Sequence, residues 1–110
     1  MYENRNDDEM HEAIGADGHV IRFAGELVSR VSAELPEKDR WTEFSLWLTA
    51  SDTWVLQGVG RSRIPGETDR YWSVITSDPS DWIDKIIGDD VSRLAKRLLK
   101  ESFLYLRNCD

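Results

Sequence analysis

Three arginines set among glycines carry the most suggestive chemistry in this chain. In Gly58-Val59-Gly60-Arg61-Ser62-Arg63-Ile64-Pro65-Gly66-Glu67-Thr68-Asp69-Arg70-Tyr71-Trp72, the guanidiniums of Arg61, Arg63 and Arg70 could converge on a carboxylate or phosphate, because each offers paired N–H donors to an oxyanion. Arg61 and Arg63 alternate onto one strand face with room for an anion between them. The same residues also fit a solvated hairpin connection, since Glu67 and Asp69 lie beside them and can pair with them at the surface. A nucleotide cradle is excluded: Gly58, Gly60 and Gly66 lack the spacing into Gly-Lys-Ser/Thr, and Ile64-Pro65-Gly66 reads as a turn.

Catalytic and metal-binding combinations are sparse. His11 and His19 are the only histidines, and neither has a convincing partner for general-base work or metal ligation. Met10-His11-Glu12 could collect a divalent ion only adventitiously. Cys109 is the single cysteine, which rules out an internal disulfide and a cysteine zinc site. No nucleophile elbow is present. The chain is not expected to be an enzyme, and no cofactor or metal is implied.

A net charge of −7 and a pI near 4.8 argue against sequence-independent nucleic-acid binding, which depends on neutralising phosphates. The acids are concentrated at the start, where Asp7, Asp8, Glu9 and Glu12 belong to a leader expected to span residues 1–18. It reads as a flexible, solvated tail, or as a polyanion mimic facing a basic partner. No apolar run approaches the ~18 residues of a membrane span, and the N-terminus lacks the basic start and apolar stretch of a secretory signal. A cytoplasmic protein with no membrane association is the expectation.

The elements that must position these residues follow from periodicity. Ile21, Phe23, Leu27, Val31, Ala33 and Leu35 share one parity, as in a half-buried strand, although a helical stripe also fits. Gly25 and the β-branched content favour a long or bulged strand. Pro36 to Asp39 is a turn. Thr42 to Ala50, Trp54 to Arg61 and Tyr71 to Thr76 read as further strands, the first two joined through Ser51-Asp52-Thr53. Asp78-Pro79 opens a short helix ending at Gly88. Asp89 or Asp90 caps a longer one, with Leu94, Ala95 and Leu98 on one side and Arg93, Lys96, Arg97 and Lys100 on the other. The expected fold is a single α+β domain over residues 19–110, an antiparallel sheet of about four strands with two C-terminal helices on one face.

One helical layer covers one side of a sheet, which leaves the aromatics on the other to be explained. Trp47 alternates against Phe44, Leu46 and Leu48 and so points away from them. A two-residue turn would set it opposite Leu56, close to Trp54; a three-residue turn would set it opposite Gln57, flanked by Val55 and Val59. Trp72 adds a large ring on the fourth strand. Either the first segment folds over this second face, or Trp47, Trp54, Trp72, Val55 and Leu56 form a patch for a partner or a second copy of the chain.

Arg40-Trp41-Thr42-Glu43, Leu48-Thr49, Trp54-Val55, Gly58-Val59-Gly60-Arg61-Ser62 and Gly66-Glu67-Thr68-Asp69-Arg70 together resemble a group of uncharacterised small proteins of actinobacteria, their plasmids and phages. A looser likeness is to EXLDI-type small proteins. The resemblance covers about residues 25–72. It implies a host context and no defined activity; Trp47-Leu48-Thr49 stands where such sequences often have a tyrosine, a polar residue and threonine.

The expected function is that of a non-enzymatic binding or regulatory module acting through protein contact or self-association at the tryptophan patch. Two alternatives come from other classes. One is an acidic inhibitor of a nucleic-acid-binding or defence complex. The other is a selective nucleic-acid binder using Arg61, Arg63, Arg70 and the basic helix face.

Overall fold

The alternating segments pair as neighbours in chain order. A computed structural model describes residues 9–79, 82 and 89–107. It contains strands β1 (Met10–Ile14), β2 (Val20–Ser32), β3 (Arg40–Thr49), β4 (Trp54–Ser62) and β5 (Arg70–Thr76), followed by helix α1 (Asp89–Arg107). The strands form one antiparallel sheet in the order β1-β2-β3-β4-β5, curled into a half-barrel. This corrects the expected four-stranded sheet with two C-terminal helices: there are five strands, and α1 is the one helix bounded among the described residues. The shorter helix expected over residues 78–88 lies mostly outside them.

The additional strand comes from the expected leader. Gly15-Ala16-Asp17-Gly18, read as the end of a tail, is a hairpin turn: Gly15 donates to His19 O at 2.8 Å, and Gly18 donates to Gly15 O at 2.9 Å. It returns the chain so that Met10 to Ile14 pairs with Ala24 to Val20. The strand was obscured because Ala13 is its only fully buried side chain, too little apolar content to stand out among acids.

β2 turns the sheet into a half-barrel. Its first half, Val20 to Ala24, pairs with β1, and its second half, Gly25 to Ser32, pairs with β3. At the corner, a Cβ on Gly25 would lie 2.5 Å from Leu48 O and 2.8 Å from Thr49 Cα, so the strands can approach only without a side chain. Between Leu27 and Ser29 the register shifts by one residue, and this bulge at Val28 reverses the faces. Leu27 therefore shares a face with Trp47, whereas Val31, of the same parity, shares one with Phe44.

α1 seals the second of these faces. Val31, Phe44, Leu46 and Leu56 from the sheet meet Leu94, Ala95 and Leu98 from the helix, all buried, with Trp54, Trp72 and Val74 packed at the margin. The helical spacing delivers this stripe while Arg93, Lys96, Arg97 and Lys100 stay exposed. Beneath the helix, the Ser29 and Ser102 hydroxyls lie 2.6 Å apart and within 3.1 and 2.8 Å of Leu98 O; one donates to that carbonyl and the other to its neighbour, so both buried hydroxyls are satisfied.

Candidate functional site

The β3–β4 turn fixes where each tryptophan goes. Ala50, Ser51 and Asp52 form a three-residue loop closed by Thr49 N donating to Thr53 O at 2.8 Å, with Asp52 at φ 65°, the left-handed position such loops require. The closing pair is Thr49 with Thr53, so Trp47 stands opposite Val55, not opposite Leu56 or Gln57 as either expected register had it. The five residues of the expected patch are consequently divided. Trp47 and Val55 lie on the concave face; Trp54, Leu56 and Trp72 lie on the face under α1.

On the concave face the registers align Leu27, Trp47, Val55 and Ile75 as one row across four strands. Phe23 meets Trp47 edge-on at 5.5 Å between centroids, and His11 lies against both rings at 5.7 and 5.9 Å, geometries that suit aromatic quadrupoles. His11 donates its Nε2–H to Gly25 O at 3.0 Å, which orients the ring. The centre of the row is covered, with Val55 at 1% exposure, while its ends remain open: Leu27 is 42% and Ile75 54% exposed. An open groove of about 460 Å³ runs between Phe23, Ile21, Val55 and Ile75, with Thr49, Ser51 and Thr53 at its rim.

On the other face, Trp72 lies flat on Gly58. A Cβ there would fall inside the indole, and Phe44 meets the same ring edge-on at 5.8 Å. The glycine-rich stretch thus seats an aromatic ring.

Further along the concave face the rows become polar. Gln57, buried, closes the seam between β1 and the β4–β5 pair. Its Oε1 accepts from Ile14 N at 2.5 Å, and its Nε2 donates to Ile14 O at 2.9 Å and to Trp72 O at 2.5 Å. Glu43 follows. Its carboxylate, 8% exposed, accepts from Arg30, Arg61, Ser32 and Trp41 Nε1 at 3.0–3.2 Å. Burial alone would raise the Glu43 pKa; those hydrogen bonds outweigh it and hold the group at about 2.

The expected anion-contact residues are largely committed within the molecule. Arg61 donates to Asp69 at 2.8 Å and to Glu43 at 3.0 Å, and the Asp69 bond, then Glu43, keeps it protonated against burial. Arg63 lies beyond β4, its guanidinium 4.4 Å from the Trp41 ring centroid. It donates to Leu35 O at 2.9 Å, to Lys38 O and to Glu34 at 2.7 Å, fastening the β2–β3 connection. The space expected between Arg61 and Arg63 for an anion is therefore not formed. Arg70 remains exposed. The sequence reading missed Arg40, whose Nε donates to Glu67 at 3.0 Å and whose Nη2 donates to the other carboxylate oxygen. Its register opposite Ser62 follows from the hairpin closure, which periodicity alone does not supply.

Of the expected acidic mimic surface, Asp7 and Asp8 lie outside the described residues. Glu9 is exposed and its backbone carbonyl accepts from Gly25 N at 3.0 Å; Glu12 pairs with Arg22 at 2.9 Å. Among the described residues, no group of three or more His, Cys, Asp or Glu side chains could hold a metal ion, and no helix is long and apolar enough to cross a membrane.

Comparison with known proteins returns no match: no family profile fits the chain, and no curated protein or solved structure is significantly similar to it. Function must be read from the chemistry of the two faces.

Proposed function

We propose that the protein is a non-enzymatic binding module that engages a protein partner through the apolar end of its concave face. The supporting observation is the row of Leu27, Trp47, Val55 and Ile75, buried at Val55 and solvent-facing at both ends. Apolar groups on a firm aromatic base, bordered by hydroxyls and Arg22, have the composition of an interface centre with a polar rim. The reading replaces the five-residue tryptophan patch with Leu27, Trp47, Val55, Ile75 and Phe23. Glu43, the most buried carboxylate among the described residues, has a pKa of about 2, far from the neutral range a general acid or base requires.

The test uses the full chain, tagged and recovered from the cells that make it. A double L27E/I75E variant should lose its bound partner, while L35E, at another exposed leucine, should retain it. Retention of the partner by L27E/I75E contradicts the proposal. Light scattering over a range of concentrations identifies the partner as a second copy if the wild type is a dimer that the same pair of substitutions dissociates.

A further inference from the structure

The face that carries Phe44 and Leu46 continues past the apolar core into polar ground. There Thr42 pairs with Gly60, Gly60 with Arg70, and Arg40 with Ser62. An open groove of about 700 Å³ lies over these residues. Its floor is bare at Gly60, where a Cβ would find nothing nearer than Arg70 Cβ at 3.8 Å. The lining holds the guanidiniums of Arg40, Arg61 and Arg70 and one carboxylate, Glu67; Arg61 is already paired with Glu43 and Asp69, which leaves Arg40 and Arg70 facing Glu67 in a chain whose net charge is −7.

We propose that this groove is a phosphate-binding site formed by Arg40, Ser62 and Arg70, which the protein's own Glu67 occupies until a phosphate group displaces it. Glu67 already shows how an oxyanion is received. Both its oxygens take the Arg40 fork, and Ser62 Oγ donates to Oε1 at 2.6 Å. A fork and a hydroxyl are the donors that phosphate oxygens accept from. Arg70 adds its field to the same carboxylate and makes no ion pair with a carboxylate among the described residues. A dianion facing two guanidiniums therefore gains more from the site than the single charge of Glu67. Displacement is also easy. Glu67 is exposed, exposed ion pairs are weak, and the side chain sits on a turn, with Gly66 at φ 88° and Glu67 N donating to Ile64 O at 3.1 Å. Arg61 stays with Glu43 and Asp69 throughout.

This site is separate from the apolar row of the concave face and does not depend on the protein-partner reading. It is tested by NMR titration of the full chain at low ionic strength with inorganic phosphate and, in a second arm, phosphoserine. E67Q should bind phosphate at least ten-fold more tightly than wild type, with shifts centred on Ser62, Thr68 and Arg70, and E67Q/R40Q should lose this binding. Tighter binding of phosphoserine than of inorganic phosphate assigns the site to an esterified group; the reverse assigns it to the free ion. Binding by E67Q no tighter than wild type, or unaffected by R40Q, overturns the proposal. A readout independent of any variant is the Glu67 carboxyl resonance in the wild type. Saturating phosphate should raise its pKa from about 2 toward the ordinary carboxylate range, and a carboxyl that titrates identically with and without phosphate contradicts displacement.

Discussion

The two faces of this sheet are made from the same strands by alternation, yet they serve different ends. The face under α1 is apolar in its central rows: Val31, Phe44 and Trp72 with Gly58, then Leu46, Leu56 and Val74. The concave face changes character along its length, from the Leu27 to Ile75 row, through Ser45, Gln57 and Ser73, to Glu43 and its arginines. The apolar centre of the first face is covered by the chain itself. A graded face, apolar at one end and saturated with ion pairs at the other, has its polar end fixed internally and its apolar end available. Stability should therefore reside mainly in the apolar centre of the first face, and protein contact at the open apolar end of the second.

The contrast is broken most severely by opening the sealed face. Leu56→Ala removes a fully buried side chain and should cost about 2–5 kcal/mol in denaturant unfolding; a loss below ~1 kcal/mol would mean that α1 does not pack as described. Gly58→Ala acts in the opposite sense, forcing Trp72 off its seat against Phe44. It should cost roughly 1–3 kcal/mol through overpacking, visible as a lower unfolding midpoint.

The polar end of the concave face gives a pH-dependent term. Glu43 has a folded pKa of about 2, below its unfolded value of 4.5. Its stabilisation is therefore fully present above the unfolded pKa and is lost as pH falls through the window from 4.5 to about 2. The loss should be about 3 kcal/mol by linkage. Glu43→Gln should flatten that part of the stability profile, and an unchanged profile would show that the four-donor arrangement does not persist in solution. The smallest expected effect on stability is at the open ends of the apolar row. Ile75→Asp should change unfolding free energy by no more than about 0.5 kcal/mol, as for ordinary surface substitutions, while weakening partner capture sharply.

The parts of this design legible in the sequence are those fixed by local period. The stripe of Leu94, Ala95 and Leu98 in α1 and the alternation of Phe44, Leu46 and Trp47 in β3 can be read directly; for residues 21–35 the pattern fits strand and helix alike, with Gly25 and the β-branched residues tilting it to strand, and the strand formed ends at Ser32. What could not be read depends on register. One extra residue at Val28 sends Leu27 and Val31, identical in parity, to opposite faces. A loop closed at Thr49 and Thr53 separates Trp47 from Trp54 and Trp72. β1 lacked an apolar pattern of its own because it is held by backbone pairing and by Gln57, a polar residue that stands out only once Ile14 lies against it. The arginines around Glu43 and Glu67 were visible as residue types, but their pairing was not, since Arg30, Arg61 and Glu43 meet across three strands.

The claim that one face is sealed and the other open is tested most directly by solvent relaxation of methyl groups. In a dilute solution of the free chain, a soluble nitroxide should broaden the methyl resonances of Leu27 and Ile75 strongly and leave those of Leu46, Leu56 and Leu98 sharp. Leu27 and Ile75 as protected as Leu56 would contradict the account, because the apolar row would then be covered before any partner arrives.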